Sequence, residues 1–454
     1  MFNEKMLESA KKLHFIGIGG SGMFPIVQIL KSRGYEISGS DNNESDTLAL
    51  ERNMDIDVRL GHDAENVKGA DMIIYSAAIP PENPELKAAG ELGIPVVERS
   101  DILGYITRGF GSCICIGGTH GKTSTTAMLT HVLMESGLDP TAVIGGKLPL
   151  IGGNGRAGKS DIMTCEACEF VDTFLKLSPD ISIILNIDED HLDYFKTLEN
   201  LIASFRKFAE NTSRVMIVNG DDKNSMKAVD GIAGKKIVTF GASKDNDYYP
   251  ENIRKVTPVR SAFDLMCKGE KLAGIEIGVP GSHNVLNAVA ASAAALEVGA
   301  APEMLSKHFS GFRGAGRRFE VLGKRHGVTV VDDYAHHPAE IRATLEIAKT
   351  MGCNNVWAVF QPFTYSRTKI LLNEFAHALK IANRVVMSEI MGAREENTCN
   401  IFTSDLAALI PGSVWFPAFE EIAKYVMENA SDGDLVITLG CGDIYKCAKM
   451  MLSK

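Results

Sequence analysis

Basic side chains are the minority charge in this chain: 47 lysines and arginines stand against 57 aspartates and glutamates, a formal net charge of -10 over 454 residues. Nothing supplies a basic stripe, which argues against a general nucleic-acid or membrane-surface binder. Phosphate can still be bound locally by backbone N–H groups and a few placed cations. Long apolar runs are also missing, none approaching the roughly 18 residues of a membrane span. The opening MFNEKMLESAKK mixes charges where a secretion signal needs an apolar region. These absences lead us to expect a cytoplasmic protein with neither membrane nor nucleic acid as partner. Cysteines number nine, an odd and scattered set that does not read as a disulfide framework. Cys165 and Cys168 form the single C-x-x-C. A zinc site wants a second ligand pair, so zinc and thioredoxin-like redox chemistry are minor readings of it.

What is present is ordinary for a globular chain, 45% hydrophobic and 23% charged. Its length suits roughly three domains of about 150 residues each. Short apolar runs alternate with helical stretches, the pattern of parallel sheets with crossovers. The first hundred residues give strands at Leu13–Ile16, Glu36–Ser40, Met72–Tyr75 and Val96–Glu98, with a helix over Gly22–Arg33 and a transition at Arg99–Gly111. A second region opens with strand Ser112–Ile116 and helix Thr123–Ser136. It continues through ISIILNI (181–187), RVMIVN (214–219) and an alanine-rich helix ending near Gly299. A third begins around Val321; VTVVDDYAHHP (328–338) is a strand ending in acidic and histidine residues, and its Pro338 opens a helix to Met351, while VWAVF, RVVMS and DLVITLG supply further strands. The expected fold is α/β, with three domains in series at 1–108, 109–320 and 321–454.

Two glycine-rich turns carry the chemistry. Gly17-Ile-Gly19-Gly20-Ser21-Gly22 follows a strand, precedes a helix and has Asp41 nineteen residues beyond its last glycine. This is the spacing of a dinucleotide site, where the backbone approaches a pyrophosphate and the acid accepts a ribose hydroxyl. A dehydrogenase is therefore a fair first hypothesis. The domain is only about half of a full dinucleotide fold, however, and a second phosphate loop follows at once. What survives is a diphosphate at a helix N-terminus, with a sugar or base near Asp41.

The second turn, CIGGTHGKTSTTAML (115–129), is one residue short of the usual phosphate loop, because Ile116 stands where the first glycine should be. It nonetheless keeps the working parts. Glycines free backbone N–H groups, Lys122 can reach the β/γ oxygens, and Thr123 can ligate Mg²⁺. Further ligands are offered by Glu166, a hard carboxylate at the expected end of a strand from Ile162, and by His191 in the acidic setting of Asp188, Glu189 and Asp190.

Taken together, these stretches resemble the Mur ligases, the amide-forming enzymes of bacterial cell-wall synthesis, over almost the whole chain. That family uses a shortened G-T-x-G-K-T loop, matched by Gly118-Thr119-His120-Gly121-Lys122-Thr123, so the missing residue is a family trait. The resemblance implies an N-terminal Rossmann-like UDP-binding domain, a central P-loop ATPase domain and a C-terminal Rossmann-like domain. UDP-sugar contacts would come from Gly17, Gly19, Gly20, Ser21, Gly22 and Met23, with Ser40, Asp41, Ser76 and Ala77 in neighbouring loops. ATP contacts would come from Gly118 to Ser124, from His283, Asn284 and Asn287 in GSHNVLNAVAA, and from Arg318 in GAGRRFE and Asp333. Tyr334, His336, His337 and Arg367 would face the amino acid. Thr123, Glu166 and His191 would bind Mg²⁺, or Mn²⁺ in its place. Two departures stand out: Cys168-Glu-Phe-Val-Asp172 replaces the common Asp-Glu-Ser-Asp run, and Phe24-Pro25 replace small residues.

The implied reaction joins L-alanine to the carboxylate of UDP-N-acetylmuramate at the expense of ATP, through an acyl phosphate, in a monomer or homodimer. Lys122, Glu166, His191, Arg318, Asp333 and His336 are the candidate catalytic residues. The pieces come from three domains, so closure around bound ligands is expected to assemble the site. The alternatives are a murein tripeptide recycling ligase, a dehydrogenase, and a nucleotide-binding module without catalysis.

Overall fold

The computed structural model describes residues 4–190, 192–393 and 395–453. Among them are three sheets. The first has five parallel strands, β1 (Lys12–Ile16), β2 (Glu36–Asp41), β3 (Asp57–Leu60), β4 (Met72–Tyr75) and β5 (Val96–Glu98), in the order 3-2-1-4-5. The strand order reverses at β1, and a ligand-binding turn belongs at the carboxyl end of such a strand.

The second sheet has ten strands: β6 (Ser112–Gly117), β7 (Thr141–Leu148), β8 (Gly153–Arg156), β9 (Ile162–Glu166), β10 (Ile181–Ile184), β11 (Val215–Asn219), β12 (Lys236–Phe240), β13 (Tyr248–Thr257), β14 (Arg260–Cys267) and β15 (Glu270–Ile277). They run in the order 15-14-13-12-11-10-6-9-7-8, which flanks β6 with β10 and β9, both parallel to it. The third has β16 (Glu320–Arg325), β17 (Val328–Asp333), β18 (Val356–Phe360), β19 (Arg384–Ser388), β20 (Val414–Phe416) and β21 (Leu435–Leu439), ordered 16-17-21-18-19-20. Only β16 is antiparallel to its neighbour there. The α/β fold expected from the alternating pattern is what forms.

By compactness the chain divides into two units. One comprises Met1–Ile253, Ala262–Glu276 and His283–Phe312; the other comprises Arg254–Ser261, Ile277–Ser282 and Arg313–Lys454. The first holds the five-stranded sheet and most of the ten-stranded one. Among the described residues, no helix is long and apolar enough to cross a membrane.

Packing fixes where the loops start. Helix Leu198–Asn211 buries Leu201, Ile202, Phe205, Phe208 and Ala209, a single stripe at helical spacing, and Thr197 caps its N-terminus by accepting from Asn200 N. Phe174 stacks on Phe208 at 4.8 Å and meets Phe205 edge-on at 5.1 Å. Each such phenyl contributes about 2–3 kcal/mol by leaving water. The same two helix phenyls press on Gly117, where a Cβ would lie 3.3 and 3.4 Å from their ring carbons. The core thus seats the first residue of the second glycine loop.

Residues 99–111 differ from expectation. Arg99–Arg108 is a helix, because Ile102, Leu103 and Ile106 fall on one buried face. Phe24 and Pro25 also gain an explanation, since they seat on β8. A Cβ on Gly153 would meet Phe24 Cε1 at 3.1 Å, and one on Gly155 would meet Pro25 Cα at 2.4 Å.

Candidate active site

The first turn is built by β1, the helix Phe24–Ser32 and the end of β2. Gly17 takes φ +77°, a conformation open to glycine. The N–H groups of Gly17 and Ile18 both donate to the Ser40 carbonyl, at 2.8 and 3.0 Å. Gly20 N returns to Gly17 O, and Met23 N to Gly20 O. Asp41 Oδ2 accepts from Gly19 N at 3.0 Å and its Oδ1 from Asn43 N at 3.1 Å, so the acid closes over the turn. Ser40 turns its side chain inward: its hydroxyl donates to Glu85 Oε2 at 2.7 Å and lies 3.0 Å from His62 Nδ1. Glu85 also meets His14 at 3.2 Å and Asn66 at 2.6 Å. Burial pushes the Glu85 carboxyl up, but the hydrogen bonds from His14, Asn66 and Ser40 outweigh it and hold the pKa below its usual value. Ser76 and Ala77 follow β4 beside the turn, the Ser76 Cβ 3.6 Å from a Cβ placed on Gly17.

Two neighbours of this turn carry no sequence signal. Asn154 Nδ2 donates to Ser21 O at 2.6 Å. The Arg99 guanidinium lies 3.2–3.4 Å from where a Cβ on Gly22 would sit.

The second loop runs from the end of β6 into helix Lys122–Glu135. Gly118 and Gly121 hold φ +144° and +88°, and Cβ atoms there would come 2.9 Å from Leu185 and 2.8 Å from Asn287. Asn186 clamps the loop, accepting from His120 N at 2.8 Å and donating to His120 O at 3.0 Å. The Thr119 hydroxyl accepts from Asp188 N at 2.9 Å.

Lys122 Nζ donates to Gly118 O at 2.5 Å, to Thr119 O at 3.0 Å and to Glu169 Oε1 at 3.0 Å. Burial would lower the lysine pKa; Glu169, with Cys168 and Glu166, more than offsets this, and the net direction is upward. Lys122 therefore stays an ammonium. The Thr123 hydroxyl donates to Glu166 Oε1 at 2.9 Å, while Gly145 N donates to Oε2 at 2.7 Å. Register explains the meeting, because Glu166 ends β9 directly beside Ile116 of β6. Ser124 follows in the first turn of the loop helix. Asn284 and Asn287 share a 3.1 Å hydrogen bond in helix Ser282–Glu297, whose second residue is His283. His191 lies outside the described residues.

Cys165 pairs in register with Cys115, and Cys113 Sγ is 3.7 Å from Cys115 Sγ. Cys165 is buried in β9 whereas Cys168 is exposed beyond it. The two residues of the C-x-x-C therefore sit in different surroundings.

In the second unit, the carboxyl ends of β17, β21 and β18 gather another set. Asp333 is buried and accepts from Phe319 N at 2.7 Å and Ala335 N at 2.8 Å. Burial pushes its carboxyl up to about 6, although Arg318 and those two amides pull the other way. The Arg318 guanidinium lies 5.2 Å from the Tyr334 ring centre. His336 meets Tyr334 edge-on at 5.5 Å, with Nδ1 3.1 Å from Tyr334 O and 3.3 Å from Glu340. Burial lowers the His336 pKa, Arg367 and Arg318 add to that, and Glu340 opposes it; the net direction is down. His337 caps helix Pro338–Lys349, accepting from Ala339 N at 3.3 Å in a capping box with Glu340. Arg367 stands in helix Tyr365–Ile370.

Three family models match this chain in turn. Residues 12–111 match "Mur ligase family, catalytic domain", residues 116–295 match "Mur ligase middle domain", and residues 317–442 match "Mur ligase, glutamate ligase domain". A protein of Caldanaerobacter subterraneus subsp. tengcongensis named UDP-N-acetylmuramate--L-alanine ligase is 40% identical over 454 residues, covering 99% of this chain and 98% of that relative. A protein of the same name from Lachnospira eligens is 43% identical, with 97% of each chain covered. Among solved structures, the UDP-N-acetylmuramate-alanine ligase of Thermotoga maritima superposes with a TM-score of 0.84 at 29% identity, covering 97% of this chain and 98% of its own. A murein peptide ligase of Psychrobacter arcticus reaches 0.76 at 22% identity over the same shares, a likeness of fold. With the shortened phosphate loop, its acid partner and all three domains matched in order, the chain belongs to the Mur ligase family.

Proposed function

We propose that this chain is an ATP-dependent ligase that joins L-alanine to the carboxylate of UDP-N-acetylmuramate in peptidoglycan precursor synthesis. Its relatives over nearly the full length carry the name of that reaction. The observation that carries the reading is the Lys122–Thr123–Glu166 arrangement, with the hydroxyl 2.9 Å from the carboxylate at the mouth of a phosphate loop. Substrates of this kind, ATP and a nucleotide sugar, place the enzyme in the cytoplasm.

The loop N–H groups and the Lys122 ammonium hold the β and γ phosphates of ATP, and Arg318 receives the γ-phosphate. The Gly17–Met23 turn takes the UDP diphosphate, with Asp41 and the Ser76–Ala77 loop toward the nucleoside. The muramoyl carboxylate attacks the γ-phosphorus and ADP leaves, giving an acyl phosphate. The amine of L-alanine then attacks the activated carbonyl, and phosphate departs as the amide forms. Tyr334, His336, His337 and Arg367 serve the amino acid. His336, neutral near pH 7 because its pKa is lowered, takes the ammonium proton. Mg²⁺ fits the donors present, since a hydroxyl and a carboxylate are hard oxygens. Thr123 and Glu166 would hold one ion and His191 a second, and bound metal would screen the repulsion between triphosphate and carboxylate.

The test is phosphate release from ATP with Mg²⁺ and UDP-N-acetylmuramate, comparing L-alanine with L-Ala-γ-D-Glu-meso-diaminopimelate. Release that requires both sugar and L-alanine, with the amide product seen by mass, is expected. Turnover with the tripeptide alone moves the enzyme to wall recycling.

A further inference from the structure

We propose that Arg317 is a positioning residue for capture of the amino acid, binding the Gly440–Gly442 turn to the end of β17 and fixing Tyr334 between them. The inference rests on the L-alanine reading above. The resemblance gives a role to Arg318, yet its neighbour makes the more connected contacts. Arg317 holds φ +59°, rare for a side-chain-bearing residue. Its backbone is tied in both directions: the N–H donates to Glu320 Oε2 at 2.7 Å, and the carbonyl accepts from Tyr334 N at 2.7 Å.

The side chain then joins two further segments. Nε donates to Asp332 Oδ2 at 2.9 Å, Nη1 to Gly442 O at 3.0 Å and Nη2 to Gly440 O at 2.6 Å. Asp332 is buried and takes the Thr438 hydroxyl on its other oxygen at 2.6 Å. The rings of Tyr334 and Tyr445 lie 5.0 and 4.9 Å from the guanidinium carbon, within cation–π range. A planar guanidinium can serve a carboxylate and two turn carbonyls at once, and a lysine ammonium cannot reproduce that fork.

Tyr334 belongs to VDDYAHHP, whose Tyr334, His336 and His337 are expected to face the amino acid, and Arg317 ties the Gly440–Gly442 turn to the same place. Loosening Arg317 frees both together. L-alanine is small and makes few contacts, so misplacement of this wall is felt first in its KM. ATP meets the loop after β6 and acts as the internal control, with a smaller effect expected because Arg318 shares the Tyr334 ring.

The experiment uses the full chain. Phosphate release by the unaltered protein is measured first, then by Arg317→Lys. Expected is a rise of about tenfold or more in the KM for L-alanine, with the KM for ATP changed by less than about threefold. In Arg317→Ala, added guanidinium ion at millimolar concentration should recover part of the L-alanine-dependent rate, which a purely structural loss would not allow. Tyr445→Leu keeps all three hydrogen bonds, should show a smaller loss in the same direction, and decides the matter if the lysine variant is insoluble. An unchanged L-alanine KM in the soluble variant, or equal rises for L-alanine and ATP, overturns the proposal alone. Absence of L-alanine dependence in the unaltered protein overturns the functional reading beneath it.

Discussion

Glu51 offers a prediction whose size can be worked out. It lies wholly buried in helix Asp46–Arg52, and neither carboxylate oxygen has a hydrogen-bond partner among the described residues. Burial, with the Asp41 charge adding and Arg52 opposing, pushes its pKa from the usual 4.5 up to about 8. The folded chain therefore binds a proton that the unfolded chain releases between those values. The stability this group contributes is complete below pH 4.5 and is lost as pH rises toward 8. At about 1.4 kcal/mol per pH unit, the loss by pH 7 is about 3 kcal/mol. Glu51→Gln keeps the shape but has no charge to release, so it escapes that loss. Its melting temperature should match the unaltered chain near pH 5 and exceed it by about 3–6 °C at pH 8, levelling off above. Thermal melts of both full-length chains from pH 5 to 9 provide the assay. A difference that does not change with pH, or a variant less stable at pH 8, refutes the reasoning. Asp41 also holds Gly19 N, so above pH 8 the KM for the UDP-sugar should rise in the unaltered enzyme and stay flat in Glu51→Gln.

Three further expectations concern the proposed chemistry and its scaffold. Glu166→Gln should cut kcat by about a hundredfold and raise the Mg²⁺ needed for half-maximal rate; an unchanged Mg²⁺ titration of phosphate release removes Glu166 from metal binding. The basic form of His336 should give kcat/KM a rising limb whose midpoint lies below the usual histidine value of 6.5, and His336→Ala should lose that limb. A profile that keeps the limb in the alanine variant assigns it to another group. Thr364 holds φ +64° and ψ 142°, a conformation suited to glycine alone. Thr364→Gly should therefore raise stability by about 1 kcal/mol, read as a higher urea midpoint, and a lower midpoint counts against strain at that turn.

Much of the fold is legible in the sequence because buried strands announce themselves as short apolar runs. VWAVF, RVVMS and DLVITLG became β18, β19 and β21, and the alternation of strand and helix gave the parallel sheets. Both glycine turns were legible from their spacing, and the meeting of Thr123 with Glu166 follows from strand register. The meander β13–β15 was not, since its strands carry many exposed polar residues and no continuous apolar run. Nor was helix Arg99–Arg108, whose apolar positions are interleaved with charges. Glu169, Asn154, Arg99 and Arg317 were missed for a different reason. Each acts on a segment distant in sequence, and only a tertiary juxtaposition reveals it. One clue was available for Glu169: a lysine at a buried helix start needs a counter-charge. Ser40 shows the converse, as its spacing near the turn is readable but the inward aim of its hydroxyl toward Glu85 is not.

The seat of Phe24 and Pro25 on β8 bears on anyone who would build hybrid enzymes from this family. With Pro25 Cα only 2.4 Å from a hypothetical Cβ on Gly155, the two stretches behave as one heritable unit split across the chain. The five-stranded-sheet region transplanted from a relative with small residues at 24 and 25 would leave a gap over Gly153–Gly155. The reverse graft, Phe-Pro onto a strand bearing side chains, would collide. Functional chimeras should therefore exchange residues 24–25 and 153–155 together, and drift at one pair should be tolerated only in lineages that have already changed the other.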